Sequence, residues 1–381
     1  MPESATSTVA PGDGADCWTR REIRQQPQTL RQTQALLRES RGQIERFLAP
    51  LLAKPDLRIV LTGAGTSAFI GECLAPWLSR VTRRRVEAVA TTDLVSAPAL
   101  YCEREAPTLL VSFGRSGNSP ESIAAARVAD SEIAEVHHLI VTCNSDGALA
   151  RDAGDKAYVV VLPEATHDRS FAMTSSFTAM MLAALSILGG IGAMDQRIDA
   201  IARSVSEALE EAEAAMPALA ARNFSRVVYL GSGVFKGLAR EAALKLLELT
   251  DGTVVTAFDT PMGFRHGPKT VVNGETLVVI FVSNDPYISQ YDRDLIAELR
   301  ADSVAAEILT IAARPEADDT LAIRHLDDAT DVDLLFPYIV PAQLFALSAS
   351  LARGMTPDTP NASGVVNRVV QGVRIHPLAG A

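Results

Sequence analysis

RIVLTGAGTSAFIGECLAPWL, residues 58–78, is the stretch on which the fold turns. Arg58 to Thr62 is a short apolar run rich in β-branched residues, the mark of a buried strand. It meets Gly63-Ala64-Gly65-Thr66-Ser67, and an apolar helical pattern follows through Leu78. Strand, glycine turn and helix in that order open a βα unit. The pattern continues with a strand at Thr108 to Phe113 (TLLVSF), the loop Gly114-Arg115-Ser116-Gly117-Asn118-Ser119, and a helix from Pro120. A third strand, His138 to Cys143, leads into Asn144, Ser145 and Asp146. Strands alternating with helices predict an α/β fold with a doubly wound parallel sheet.

The pattern then restarts. Arg226 to Leu230 (RVVYL) meets Gly231-Ser232-Gly233, and Thr276 to Val282 (TLVVIFV) meets Ser283-Asn284-Asp285. Gly63 and Ser112 stand 49 positions apart, Gly231 and Ser283 52, which predicts an internal duplication. A strand at Glu307 to Ala312 and a helix at Pro341 to Leu351 would complete the second copy. The expected organisation is a disordered tail over 1–17, a helical arm over 18–52, and a first domain over 53–194. A linker helix over 195–217, a second domain over 218–355 and an irregular tail over 356–381 that contributes to the active site would follow. In the arm, Thr19 and Glu22 have capping-box spacing, Pro27 interrupts or restarts the helix, and a helix runs from Leu30 to Leu52.

Length and charge narrow the function. The 381 residues suffice for two cores, and a formal net charge of −11 without a block of Lys or Arg excludes nucleic acid and membrane surfaces as partners. Four cysteines (Cys17, Cys73, Cys102, Cys143) lack CxxC spacing, which points to a reducing cytoplasm and away from a thiolate metal site. Ser170 to Met194 is uncharged, but its polar opening and its Ala- and Gly-rich end suit a helix buried between protein layers. The N-terminus lacks the charged and apolar regions of a signal peptide.

Glycines and hydroxyls at strand-to-helix turns make anion sites, because free amides and the helix dipole converge there. Gly65, Thr66 and Ser67 form one such loop, Arg115, Ser116 and Ser119 belong to another, and Thr174, Ser175 and Ser176 add a third hydroxyl cluster. Each also reads as the capping end of a helix. The first loop has no Walker lysine, and Ala68 breaks a GxGxxG match, so nucleotide hydrolysis and nicotinamide binding are disfavoured. A phosphate carried on a sugar suits the hydroxyls best. No cofactor and no metal is expected, and the adjacent His137 and His138 read as structural. Later in the chain, Glu241, Lys245 and Glu248 share one helix face, within about 40° at roughly 100° per residue. A loop with Arg265, His266, Gly267, Pro268 and Lys269 follows. Carboxylate, ammonium and imidazole are the parts of general acid and base chemistry; the alternative is a solvated salt-bridge face and a surface turn.

EIRQQP (22–27), GAGTS (63–67), SGNS (116–119), ALKLLE (243–248) and RHGP (265–268) occur in the order found in sugar isomerase (SIS) domain proteins. With HLIVTCNSDGALA (138–150), RSFAMTSSFT (169–178) and FRHGPK (264–269), the chain resembles the tagatose-6-phosphate ketose/aldose isomerase or galactosamine-6-phosphate deaminase branch. It is also similar to the isomerase half of glucosamine-6-phosphate synthase, without that enzyme's glutaminase half, so ammonia taken from glutamine is not expected. The resemblance implies phosphate binding by Ser67, Ser116 and Ser119, proton transfer between C1 and C2 by Glu248, and Lys245 lining the site. It implies ring opening by His266 of a neighbouring subunit, hence a homodimer or homotetramer with shared sites. Arg115 stands where the synthase has glutamine and Gly114 where it has serine, which offers a guanidinium in place of a hydroxyl. The loop from Glu248 to His266 is two residues longer. Asn367-Arg368 occupies the region of the synthase's Schiff-base lysine, and arginine forms no imine. The resemblance implies conversion of galactosamine 6-phosphate, or a related hexosamine 6-phosphate, to a ketose 6-phosphate and ammonia. Aldose/ketose isomerisation without loss of nitrogen uses the same residues and is the alternative; a sugar-phosphate sensor without turnover is a third reading.

Overall fold

The computed structural model describes residues 16–315, 320–370 and 372–378. Residues 1–15 of the expected disordered tail, with Gln371 and residues 379–381 of the C-terminal tail, lie outside them. Strands β1 (Arg58–Thr62), β2 (Arg85–Ala88), β3 (Thr108–Gly114), β4 (Val136–Thr142) and β5 (Ala157–Val161) form a parallel sheet ordered β2-β1-β3-β4-β5. Strands β6 (Arg226–Gly231), β7 (Val255–Asp259), β8 (Thr276–Phe281), β9 (Glu307–Ala312) and β10 (Thr320–Ala322) form a second parallel sheet ordered β7-β6-β8-β9-β10. The two orders are the same. The chain is an α/β protein of two tandem parallel-sheet units preceded by a helical arm.

The longer helices and the first helix of the arm are α1 (Trp18–Arg24), α2 (Gln26–Leu52), α3 (Thr66–Thr82), α4 (Pro120–Glu132), α5 (Ser175–Gly189), α6 (Ile198–Ala221), α7 (Phe235–Leu249), α8 (Ile288–Asp302) and α9 (Asp331–Ala352). The repeat keeps its count. Arg58 and Arg226, Thr108 and Thr276, and Pro120 and Ile288 each stand 168 residues apart at the starts of matching elements. The glycine turns match in detail. A Cβ on Gly63 would lie 2.6 Å from Ser67 and one on Gly231 2.5 Å from Phe235, while Gly65 and Gly233 have φ of +55° and +57°. Only glycine fits such a turn. By this displacement Ser283 matches Arg115, three residues on from Ser112, the match the spacing comparison made.

Why these segments fold so follows from burial. The central strands β1, β3, β6 and β8 are nearly continuous apolar runs, buried on both faces as parallel strands must be. Helix α5 is buried all round, Met180 to Leu185 having no exposed surface; each such Leu contributes about 1.5–3 kcal/mol. Helix α6, expected as a linker ending at Pro217, runs to Ala221 and packs on α9 and α2. Helix α9 begins ten residues before the expected Pro341 and carries Pro337 and Pro341 inside it. It is long and apolar enough to cross a membrane, but it is a core helix, mostly buried.

The capping box is not one. Helix α1 starts at Trp18, and the Asp358 carboxylate accepts the N–H groups of Trp18 (2.8 Å) and Thr19 (2.9 Å). Thr19 Oγ1 also donates to Asp358 (2.8 Å), and Glu22 accepts from the backbone N–H groups of Arg169 and Ser170. Pro27 sits in the first turn of α2, where a missing N–H is harmless, so it restarts the helix.

Candidate active site

Two turns of the first sheet form a small cavity of about 120 Å³. Ala64 and Ser67 line it from the turn after β1; Gly114 at the end of β3, Ser116 and Ser119 in the following loop, and Ser122 in α4 line it from the other turn. That loop is held from below. Asn144 Nδ2 donates to the Ser116 carbonyl (2.9 Å), and Asn118 Oδ1 accepts the Ala148 N–H (2.9 Å). Gly117, with φ of +63°, would put a Cβ 3.3 Å from Gly147 Cα. Ser119 is the residue before α4, and its hydroxyl meets that of Ser122 (2.8 Å). Ser67 is buried in the first turn of α3, so a rigid frame presents its hydroxyl with the amides of two helix starts.

Arg115 is buried and does something the spacing did not suggest. Its guanidinium donates to the carbonyls of Ser170 (3.2 Å), Phe171 (3.3 Å) and Arg368 (2.9 Å). Arg368 donates in turn to the carbonyls of Asp168 and Ser170 (3.1 Å). Burial, then the neighbouring Arg368 charge, bring Arg115 down to about 10. Two guanidiniums therefore meet at the edge of the cavity with carbonyls as their hydrogen-bond partners, an arrangement that favours an incoming anion. Arg368, Val369 and Val370 supply the cavity's outer wall, and Arg368 also lines a larger cleft of about 500 Å³ with Trp18, Glu22 and Arg169.

The hydroxyls of the third cluster go elsewhere. Asp168 Oδ1 accepts from Ser175 Oγ (2.5 Å) and Asp168 Oδ2 from the N–H groups of Thr174 (2.8 Å) and Ser176 (2.9 Å), so this buried carboxylate caps α5. Gln25 Nε2 also donates to Ser175 Oγ (2.8 Å). Thr174 Oγ1 is buried with no partner among the described residues. Glu22, read from sequence as part of a cap and of the EIRQQP motif but not as a site residue, is pushed up to about 8 by burial and then by the Asp168 charge.

The charged helix face is no solvated decoration. Helix α7 crosses α3 so closely that a Cβ on Gly237 would lie 2.6 Å from the Cys73 nitrogen. Arg240 lies 4.5 Å over the Phe69 ring and pairs with Glu72. This crossing buries Glu241 and Lys245 completely and leaves Glu248 partly open, with 24% of its side chain exposed. Lys245 Nζ bonds Glu248 Oε2 and lies 3.6 Å from Glu241 Oε1. Thr66 Oγ1, in the first helical turn of α3, donates to Glu241 Oε1 (3.3 Å). Burial raises Glu241 to about 8, Lys245 opposing it. For Lys245 burial acts downward, but the hydrogen-bonded Glu248 carboxylate opposes it and keeps the ammonium. Glu241 had no stronger signal in the sequence than its place four residues before Lys245.

His266 lies apart. The segment after Glu248 contains β7 and a short helix, Pro261–Phe264, where the spacing suggested loop alone. Arg265 (2.8 Å) and Lys269 bind Glu298 of α8 and fix the turn, and His266 is exposed with no hydrogen bond to Lys245 or Glu248 of its own chain. His138 pairs with Asp130 (2.9 Å) and His137 with Glu135 (3.5 Å), acidic partners that spacing alone did not reveal.

Residues 51–188 match the model of the SIS domain family. The chain is 47% identical to an Escherichia coli protein named D-galactosamine-6-phosphate deaminase AgaS, over 99% of each chain. It is 44% identical to the protein of that name from Shewanella sp. (strain ANA-3), over 95% of this chain and 92% of the other. Among solved structures, the tagatose-6-phosphate ketose/aldose isomerase of Escherichia coli aligns with a TM-score of 0.89 at 43% identity, covering 97% of this chain and 99% of that one.

Proposed function

The chain belongs to the SIS domain family, in the branch of the relatives just described, and from that premise we propose that it deaminates an amino-hexose 6-phosphate. Galactosamine 6-phosphate is the substrate the relatives' names favour; tagatose 6-phosphate and ammonia are the products. The observation that carries the reading is the Glu241–Lys245–Glu248 cluster, joined through Thr66 to the turn that forms the hydroxyl-lined cavity.

In this reading the substrate phosphate lies among Ser67, Ser116 and Ser119, under the turn at Gly65 and Thr66. Arg115 and Arg368 add positive charge from behind, without leaving their carbonyls; Ser175 is taken up by Asp168, while Thr174, next to Met173 of the cavity lining, keeps a hydroxyl unpartnered among the described residues. His266 of a second subunit donates and accepts the protons that open the pyranose ring. Glu248 takes the C2 proton and returns it to C1, while the amine gives up one proton and O1 gains one, so the amino-aldehyde becomes a C2 imine with a C1 hydroxyl; water then adds to C2 and releases ammonia, leaving the ketose. A carboxylate can take and return one proton without moving. Lys245, beside it, stabilises the oxyanion that forms at C1, and Glu241 supports Lys245 from beneath.

We infer a homodimer or homotetramer in which subunits share the site. His266 is exposed, and Leu247, Val255, Phe258 and Met262, on the same segment, are exposed apolar groups. Strand β7 is also the edge of its sheet. Such a face suits coverage by a second copy. The free thiols of Cys17, Cys73, Cys102 and Cys143 support a cytoplasmic setting.

The test is ammonia release from galactosamine 6-phosphate by the native protein and by Glu248→Gln. The native protein should release ammonia. The variant should bind the sugar phosphate but turn over about 10²–10⁴-fold more slowly, as expected when a general base is lost. Interconversion of aldose and ketose phosphates with no ammonia would replace this reading with plain isomerisation, the activity named for the solved relative.

A further inference from the structure

The second unit has the same turns as the first, yet its crevice is filled from within. The 168-residue displacement puts Ser232 at the place of Ala64, Ser283 at Arg115 and Asp292 at Ala124. Asp292 lies on α8 and is completely buried. Its Oδ1 accepts from Ser232 Oγ (2.5 Å), on the turn after β6, and its Oδ2 from the Ser283 N–H (3.0 Å), on the loop after β8. Asp331, at the start of α9, completes the set: Oδ2 accepts from Ser283 Oγ (2.6 Å) and Oδ1 from the Asn284 N–H (2.9 Å). Two carboxylates thus take hydroxyl and amide donors of the kind that the first unit turns toward an open cavity lined by Ala64, Ser67 and Ser119.

Helix α7 joins the turn after β6 to the reacting groups. Ser232 belongs to the turn from which α7 starts, and the Phe235 N–H donates to the Ser232 carbonyl (3.0 Å). Glu241, Lys245 and Glu248 all ride on that helix. We propose that Asp292 is a positioning residue that takes an internal anion's place in the second crevice and fixes the start of α7. The inference rests on the function proposed above only in assigning chemistry to α7. The first unit keeps its crevice for the substrate's phosphate, so each chain has one such site and one fixed helix facing it. Burial holds the Asp292 carboxyl up at about 6, opposed by its two donors, so the position is not one that burial alone would favour.

Asp292→Ala restores the first unit's residue and leaves a carboxylate-sized gap beside its donors. Thermal unfolding of native protein and variant is measured in sodium formate and in sodium chloride at equal ionic strength. Formate should raise the variant's Tm above its value in chloride and leave the native Tm unchanged. Its kcat for ammonia release should fall about tenfold with KM unchanged, the pattern of a displaced reacting group, and formate should recover part of it. A folded variant that formate affects no more than chloride overturns the proposal, as does an unchanged kcat. Ser232→Ala removes one hydroxyl and leaves no large gap, so it decides the matter if Asp292→Ala does not fold. Its kcat should drop several-fold at constant KM, and a native kcat overturns the proposal. If native protein turns over no amino-sugar phosphate, the proposed function fails, while the formate-specific Tm shift still reads the place of Asp292.

Discussion

Glu241 shows how one buried carboxyl sets the character of its neighbours. It holds its proton to about pH 8 where an exposed glutamate loses it near 4.5, because burial outweighs the help of Lys245. The folded chain therefore binds this proton more tightly than the unfolded chain. From about pH 4.5 to about pH 8 the unfolded chain loses it first, so this group's contribution to stability falls as pH rises. Glu241→Gln has no proton to lose. Its urea midpoint, relative to native, should rise from about pH 5 to about pH 8; a constant difference would mean that Glu241 titrates normally. The sequence made Glu248 and Lys245 legible through helical spacing and through the resemblance, because i, i+3 and i+4 neighbours share a face in any helix. Glu22, Asp168 and Asp292 were not legible as parts of a site. Each acts on backbone groups or hydroxyls brought to it by the fold; Glu22 meets Arg169 across 147 residues, and no local period records such a contact.

At the scale of elements, the crossing of α3 and α7 holds the site together. Each helix follows the first strand of its unit, and their contact brings the hydroxyl turn to the charged face. Gly237 makes the approach possible, since a Cβ there would meet Cys73 at 2.6 Å from the nitrogen and 2.9 Å from Sγ. Gly237→Ala should destabilise by about 1–3 kcal/mol through overpacking, read as a lower Tm, and should slow turnover more than it weakens substrate binding. A native Tm would show that the crossing yields easily. The central strands were readable because strands buried on both faces are unbroken apolar runs. The edge strands β2, β5, β7 and β10 were not: they are short and partly exposed, so no unbroken buried run marks them. Missing β7 turned the route from Glu248 to His266 into a single loop. The prolines of α9 hid its first ten residues in the same way, since a proline inside a buried helix is tolerated when packing outweighs the lost hydrogen bond.

The whole molecule is two copies of one plan put to unequal use, one with an open crevice and one latched by Asp292 and Asp331. The proposed sharing of sites between subunits has a direct test by complementation. Glu248→Gln and His266→Ala homo-oligomers should each be nearly inactive. Unfolded and refolded together, they should recover activity, roughly a quarter of native if dimers pair at random, because a mixed pair holds one site with both groups intact. No recovery would place both groups in one chain's site. The cap that Asp358 puts on α1 adds an order in time. It joins residues 340 apart, and α1 carries Glu22, which holds the backbone at 169–170 against which Arg115 rests. A chain emerging from the ribosome makes its hydroxyl turns early, whereas the carboxylate that closes α1 and the Arg368–Val370 side of the pocket come late, so both the wall and the support behind Arg115 are finished only near the end of synthesis.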